Sequence, residues 1–228
     1  DKHAPRWALS KRSEQGHCMI PDTHSIYACE IAKEIKEADW PFEDKKNAAV
    51  FAGSDTGQSQ QAWNNQRFTF CARNQDEDEN LFKLTNWLKL NKQSYTQEER
   101  RAVESNFIPV LDQLDYKYII NINGNTTCWD RLLWIMNSNS ICLCVKPDSS
   151  HISWYHYYFE FLGAFVWVDE NTWKPTVEFL NKNPEIAKEI NEKQKAASEI
   201  FVDIDSHLAY MSGVITEYDK KYKLWKNG

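Results

Sequence analysis

Apolar positions along the chain follow three successive patterns. The first forty residues are polar and rich in turn formers, except that 25–38 predicts a short helix ending before Trp40-Pro41. From residue 47, short apolar runs alternate with loops and helical stretches, which is typical of an α/β layer structure with a mainly parallel sheet. We predict strands at five of these runs: 48–52, 67–72, 118–122, 141–145 and 164–168.

Helices are predicted between the strands and over the C-terminal third. Thr96 and Glu99 have the spacing of a capping box, which predicts a helix from 97 to about 107. Beyond residue 185, apolar residues recur at helical intervals, so two amphipathic helices should pack on a core. Their stripes are Ile186, Ile190, Ala197 and Phe201, then Leu208, Met211, Ile215, Tyr218 and Tyr222.

Composition and charge exclude several classes of protein. The chain has 27 Lys+Arg against 33 Asp+Glu and no basic block, which argues against a nucleic-acid partner. Its longest apolar runs are five residues, far short of the roughly 20 that a membrane span needs. With no initiator Met or signal peptide at Asp1, we expect a mature or trimmed chain. Six cysteines without zinc-finger spacing favour a reducing, cytoplasmic compartment.

Glycine is scarce, and three of the seven glycines directly follow predicted strands. Gly53 and Gly57 lie in the loop after 48–52, and Gly124 lies in the strand, turn and helix pattern of 118–140. In a parallel sheet such turns meet at the carboxyl edge, where α/β proteins bind ligands. Small residues there let the backbone approach a diphosphate, so the loops suit a sugar nucleotide.

Arg131 stands in the first turn of the predicted helix that follows Gly124. A cation opposes the helix dipole at that place unless an anion compensates. A bound phosphate and a plain salt bridge, to Asp130 or at the surface, explain Arg131 equally well. No GxxxxGK[ST] or GxGxxG motif is present, which argues against ATPase and dinucleotide chemistry.

Two Asp-x-Asp pairs are candidates for holding a divalent metal. Asp76 and Asp78 lie in a charged stretch that is more typical of a solvated turn. Asp203 and Asp205 precede an amphipathic helix, and helix capping explains them better. We therefore expect no metal site. Hydrolase chemistry has little support either, because neither HExxH nor GxSxG occurs.

Taken together, these motifs resemble glycosyltransferase family 90. The resemblance is strongest over 45–57, at Asn65-x-Arg67 and over 118–140, and the last segment is similar to the bacterial and viral branch. It implies a GT-B-type fold, a Rossmann-like parallel sheet with flanking helices and an abbreviated N-terminal half. The implied domains are the remainder of the acceptor-side half (1–45), a UDP-sugar-binding domain (46–202) and a C-terminal helix that packs back on the N-terminal half (203–228).

The implied activity is an inverting transfer of xylose or glucose from a UDP-sugar to a hydroxyl of a glycan or glycoprotein. No metal or other cofactor is implied, because positive side chains and helix-start amides can stabilise the departing UDP. Trp129 fits a core position as well as the nucleotide. The positions that match the family's donor site are Gly53, Ser54, Asp55, Thr56, Gly57, Arg67, Asn123, Gly124, Asn125, Trp129, Arg131 and Ser138.

Inversion also needs a base to take the proton of the acceptor hydroxyl. Relatives carry an Asp in an Arg-Asp-x-Pro-like segment shortly before Ser-Lys, and Asp1, followed by Pro5 and Ser10-Lys11, has similar spacing. The competing interpretation is that Asp1 is a terminal residue without a role. Asp22 and Asp55 are then the alternative candidates for the base.

The chain also departs from the animal members of the family. Asn123-Gly124 stands where they have Arg-Gly, and Asp55 where they have an Arg, so two positive charges are missing from the expected phosphate site. Their Pro-Trp-x-His-Tyr-x-Pro run becomes 164–168 without the His, which implies a different sugar or acceptor.

Two other functions stay open. A metal-dependent GT-A transferase would use one of the Asp-x-Asp pairs. A non-catalytic sugar-binding module is suggested by an aromatic content of 14% and by the missing His. The aromatic segment 154–160 fits sugar stacking and core packing equally well.

Overall fold

The structure, a computed structural model, describes residues 6–12, 17–21, 23–75, 79–127, 130–146, 151–201 and 203–227. Within these ranges the strands are β1 (Trp7–Ala8), β2 (Ser10–Arg12), β3 (Cys18–Met19), β4 (Lys46–Ser54), β5 (Leu81–Asn86), β6 (Tyr116–Asn121), β7 (Ile141–Val145), β8 (His151–Ser153) and β9 (Val166–Val168). The α-helices are α1 (Thr23–Ala38), α2 (Gln66–Arg73), α3 (Gln97–Val103), α4 (Val110–Gln113), α5 (Arg131–Met136), α6 (His156–Phe161), α7 (Trp173–Lys182), α8 (Pro184–Ser198) and α9 (Ile204–Asn227).

Five parallel strands form the central sheet, in the order β5-β4-β6-β7-β9. Helices cover both of its faces, which is why its inner strands are apolar runs rather than alternating ones. Phe51, Tyr118 and Leu143 face α2 and α7, whereas Val50 and Ile119 face α1 and α5. The predicted Rossmann-like α/β fold is confirmed. Outside this sheet, β1 pairs with β3 and β2 pairs with β8.

The strand order creates one switch point at the carboxyl edge of the sheet. From β4 the chain passes to α2 on one face, and from β6, the neighbouring strand, it passes to α5 on the opposite face. The two connections therefore diverge from the ends of β4 and β6, which is where an open α/β sheet has its crevice. Open α/β sheets bind their ligands at such switch points.

One predicted strand is wrong, because residues 67–72 belong to helix α2. Asn65 begins this helix: its side chain accepts hydrogen bonds from the backbone N–H groups of Arg67 and Phe68. Residues 67–71 read Arg-Phe-Thr-Phe-Cys, so polar and apolar residues alternate over the first four as in a strand, although all five are buried. The strand of this region is β5, which the sequence prediction lacks.

Other elements differ from the prediction mainly at their ends. The helix capped by Thr96 and Glu99 has the predicted capping box but ends at Val103. Glu104 is extended there and bridges to Leu84 of β5. β7 covers the predicted residues, β6 begins at Tyr116, and β9 begins two residues later than predicted.

The second apolar stripe of the C-terminal third lies on α9 and is mostly exposed, contrary to prediction. Leu208 and Ile215 are 61% and 53% exposed. Tyr218 stacks on Trp7, and the hydroxyl of Tyr210 donates to the carbonyl of Met19. Helical periodicity thus identified the helix correctly but not its burial.

Candidate functional site

The two glycine loops meet at the switch point. The amide N–H of Gly57 donates to Oδ1 of Asn125 at 3.3 Å, and the side chain of Gln58 donates to the carbonyl of Asn125. A Cβ on Gly124 would lie 2.7 Å from Oγ1 of Thr56. The loops are thus in direct contact, and this close approach requires glycine at position 124.

Arg67 links the two loops by hydrogen bonds to both. It comes from the first turn of α2 and is almost fully buried. Its guanidinium donates to the carbonyls of Ile122 and Asn123 in one loop, and to the carbonyl of Ser54 (3.0 Å) and Oγ1 of Thr56 (2.8 Å) in the other. Because one side chain holds both loops, their separation is set by Arg67.

Arg131 reaches the end of β4 from the face of the sheet opposite α2. It is the first residue of α5, and its Nη2 donates to the carbonyl of Ala52 at 2.5 Å. Its guanidinium also lies over the ring of Phe51, 5.1 Å from the centroid. Arg131 therefore crosses the end of β4.

Gly53 lies between the two arginines. A Cβ built on it would be 3.1 Å from Nη2 of Arg131 and 3.7 Å from Nη1 of Arg67. Two guanidiniums thus converge on the crevice at the end of β4. Like charges this close raise the local positive potential, which an anion would lower.

Asn65 supports the loop after β4. It is fully buried, and its side-chain amide donates to the carbonyls of Asp55 and Ser59. A Cβ on Gly57 would lie 2.6 Å from this amide, so the loop can pack on Asn65 only with glycine at that position. In the Asn65-x-Arg67 motif, Asn65 shapes one loop and Arg67 joins it to the other.

Asp55 has a different environment from the other residues of its loop. Its side chain is fully buried and its carboxylate accepts hydrogen bonds, at 2.6–3.0 Å, from the backbone N–H groups of Leu88, Lys89 and Leu90. Asp55 therefore fixes the loop after β5, and its carboxylate oxygens are occupied there.

Comparison with known protein families decides the identity of the chain. The model described as "Glycosyl transferase family 90" matches residues 24–226, which is nearly the whole chain. The chain belongs to glycosyltransferase family 90. No curated protein matches it. A family 90 glycosyltransferase requires a sugar donor and an acceptor, so the crevice is the candidate site for the donor.

For this family 90 chain, the structure brings most of the predicted donor-site residues together. They lie in the two loops or reach into them: Gly53, Ser54, Asp55, Thr56, Gly57, Arg67, Asn123, Gly124, Asn125 and Arg131. Trp129 lies outside the described residues, as do Asp1 and Asp22, two of the candidate bases, and Asp76 and Asp78.

Ser138 is the predicted site residue that the structure separates from the others. It lies between α5 and β7, at the amino edge of the sheet, while the glycine loops lie at the carboxyl edge. It is fully buried, and its hydroxyl donates to the carbonyl of Ile135 at 2.7 Å. Its position supports a role in the turn before β7 and not at the crevice.

Of the remaining acidic and aromatic candidates that the structure describes, Asp203 lies in a helix cap, and Trp154 and Phe159 lie in the core. Oδ2 of Asp203 accepts hydrogen bonds from the N–H and hydroxyl of Ser206, which cap α9 and lower the pKa of Asp203. Trp154 and Phe159 pack on Phe201 in the core. Among the residues that the structure describes, no cluster of three His, Cys, Asp or Glu could hold a metal ion, and no helix is long and apolar enough to span a membrane.

Lys89 reaches the site, and the sequence prediction did not include it. Its ammonium donates to Oδ1 of Asn125 at 3.0 Å. A lysine in a polar loop carries no distinguishing pattern, and its place depends on the contact between Asp55 and the 88–90 backbone. No local signal in the sequence identifies it.

Proposed function

We propose that this family 90 member is an inverting, metal-independent glycosyltransferase. It moves xylose or glucose from a UDP-sugar to a hydroxyl of a glycan or glycoprotein. The observation that carries this proposal is the convergence of Arg67 and Arg131 on Gly53, between two glycine loops at the switch point. In this proposal residues 46–202 form the donor half of a GT-B enzyme, and α9 packs back on the acceptor-side half.

The charge of the crevice suits the leaving group of this reaction. As the bond between sugar and UDP breaks, negative charge develops on the β-phosphate. Preorganised cations placed where charge develops stabilise a transition state strongly. A guanidinium can bind two phosphate oxygens at once, so arginine can take the part that a divalent ion has in metal-dependent transferases.

Each arginine has its own task in the proposed reaction. Arg67 sets the spacing of the loops through the carbonyls it binds. Arg131 spans the end of β4, next to Gly53, where the phosphates would approach the backbone most closely.

The acceptor side of the proposal rests on the sequence. Asp1 is the proposed base, which would take the proton of the acceptor hydroxyl as its oxygen attacks the anomeric carbon from the side opposite UDP. Xylose is preferred slightly over glucose because the 118–140 segment is similar to the viral branch of the family. Asp55 is a poor alternative base, since its carboxylate binds three backbone amides.

The test is acceptor-dependent release of UDP. The full chain is incubated with UDP-xylose, UDP-glucose and other UDP-sugars, each with and without EDTA, together with a glycan acceptor panel. We expect turnover with UDP-xylose or UDP-glucose at equal rates in both conditions, and a product of inverted anomeric configuration. Activity that needs a divalent ion would exclude the metal-independent mechanism, and donor binding without turnover would favour a sugar-binding module.

A further inference from the structure

A third loop reaches the crevice, and it carries a cation. Residues 87–90 follow β5, the strand next to β4, so their loop leaves the same edge of the sheet. Asp55 holds this loop through the N–H groups of Leu88, Lys89 and Leu90. The Lys89 ammonium then lies 3.0 Å from Oδ1 of Asn125, in the loop after β6.

The Lys89 ammonium has a neutral partner rather than a carboxylate. Within the described chain it forms no ion pair with a carboxylate, and its partner is the neutral amide of Asn125. The same Oδ1 atom also accepts the N–H of Gly57. Lys89 thus stands beside the backbone amide that the sequence assigns to donor binding. An anionic oxygen attracts an ammonium by its full charge, whereas the amide oxygen of Asn125 carries only a partial one, so a phosphate oxygen is the stronger partner.

We propose that Lys89 is a third cationic ligand of the donor diphosphate, with Asp55 as the residue that positions it. This inference rests on the proposed function. When the diphosphate binds, Nζ of Lys89 exchanges Oδ1 of Asn125 for a phosphate oxygen. Arg131 and Lys89 then hold the phosphates from two sides, one from the start of α5 and one from the loop after β5.

The role of Asp55 follows from its bonds. Three consecutive N–H groups pointing at one carboxylate fix the backbone of the loop, so the lysine stem starts from a defined place. Asp55 acts through Lys89 and does not touch the donor. The carboxylate of Asp55 accepts bonds from the loop after β5, and the positive ends of these three N–H dipoles offset part of its negative charge.

Calorimetric titration of the full chain tests the proposal, with UDP, UMP and uridine as probes. In Lys89→Gln we expect the Kd for UDP to rise about tenfold, as loss of one charge-assisted bond predicts, and the Kd for uridine to stay unchanged. UMP should show a smaller rise. The matched control is Lys92→Gln in the adjacent 3₁₀ turn, where the side chain is exposed and the Kd for UDP should stay within about twofold of wild type.

The outcomes separate this inference from the proposed function. If wild type does not bind UDP, the proposed function fails and this inference fails with it. If wild type binds UDP and Lys89→Gln binds it equally well, only this inference is overturned. An equal loss of uridine affinity in Lys89→Gln would also contradict it, since Lys89 would then shape the site in general and not contact phosphate.

A double-mutant cycle tests the positioning role of Asp55. Asp55→Asn should weaken UDP binding as much as Lys89→Gln, and the double variant should be no weaker than either, because both remove the same contact. Fully additive losses would refute the positioning role. If Asp55→Asn does not fold, the comparison of Lys89→Gln with Lys92→Gln decides the proposal by itself.

Discussion

At the scale of single residues, Arg131 and Arg67 should give different results when their charge is removed. Arg131→Gln should lower kcat at least about 100-fold, because in the proposed reaction its guanidinium stabilises the leaving UDP. Steady-state UDP release measures this effect, and thermal unfolding should show a smaller loss of stability than in Arg67→Gln, because Arg131→Gln removes the hydrogen bond to the Ala52 carbonyl whereas Arg67→Gln removes bonds to several carbonyls. Arg73→Gln is the matched control, since Arg73 is exposed on α2 and pairs with Glu170. Equal activity of the two variants would contradict the role of Arg131.

Arg67→Gln should reduce both activity and stability. The substitution leaves the buried carbonyl of Ile122 and the loop carbonyls of Asn123 and Ser54 without their donor. Unsatisfied buried groups cost about 1–3 kcal/mol each, so we expect the free energy of unfolding to fall by about 3 kcal/mol. Urea unfolding measures it, and an unchanged midpoint would show that Arg67 does not hold the loops together.

Gly124 should tolerate no side chain. In Gly124→Ala the new methyl group would lie 2.7 Å from Oγ1 of Thr56 and 3.1 Å from Nη2 of Arg67, so the loops must separate. We expect weaker UDP binding, measured by calorimetry, with an unchanged far-UV circular dichroism spectrum. The control is Gly213→Ala in α9, which has open space around it and should gain up to about 1 kcal/mol of stability. UDP binding by Gly124→Ala at wild-type strength would contradict the close approach of the loops.

At the scale of elements, the apolar runs predicted the inner strands well and α2 badly. Runs 118–122 and 141–145 became β6 and β7, because strands covered by helices on both faces are apolar at every position. A different pattern misled at 67–72, where Arg67 to Phe70 alternate between polar and apolar as in a strand, although the stretch is a short buried helix that Asn65 begins. β5 was missed because it follows a polar stretch and has only three apolar residues, Leu81, Phe82 and Leu84, instead of a continuous apolar run.

Helix α6 carries a pH-dependent element of stability, His156. The ring is buried between Phe165 and Trp167, and burial lowers the pKa of His156 below its ordinary value of 6.5. As pH falls below about 6.5, His156 is protonated in the unfolded chain but stays neutral in the folded chain. The free energy of unfolding therefore decreases until the pH reaches the pKa of His156 in the folded chain. His156→Gln should lack this part of the decrease. Urea unfolding between pH 7.5 and 5.5 measures it, and parallel curves for the two proteins would contradict the assignment.

At the scale of the whole molecule, topology explains why a sequence reading could find most of the candidate site. Ligands bind at the carboxyl edge of a parallel sheet, so glycines directly after predicted strands point to that edge without knowledge of the strand order. Gly53, Gly57 and Gly124 were found in this way. Lys89 was not, because its place depends on a neighbouring strand that was not predicted and on a contact with Asp55. Ser138 was included for its motif alone, and the fold puts it at the other edge.

The charge of the crevice is opposite in sign to the net charge of the whole chain. The chain has a net charge of −6, yet the crevice collects Arg67, Arg131 and Lys89. A cationic crevice in an anionic protein suits the proposed UDP-sugar donor, because the crevice attracts an anion more strongly than the average surface does. In the proposed function, these positive charges bind the donor.

The most direct test of the account is a crystal structure of the full chain with UDP bound. We predict that the diphosphate lies between the loop at Gly53–Gly57 and the loop at Asn123–Asn125, with the guanidinium of Arg131 within hydrogen-bonding distance of a phosphate oxygen. UDP bound elsewhere, or bound in the crevice while Arg131 points to solvent, would contradict it.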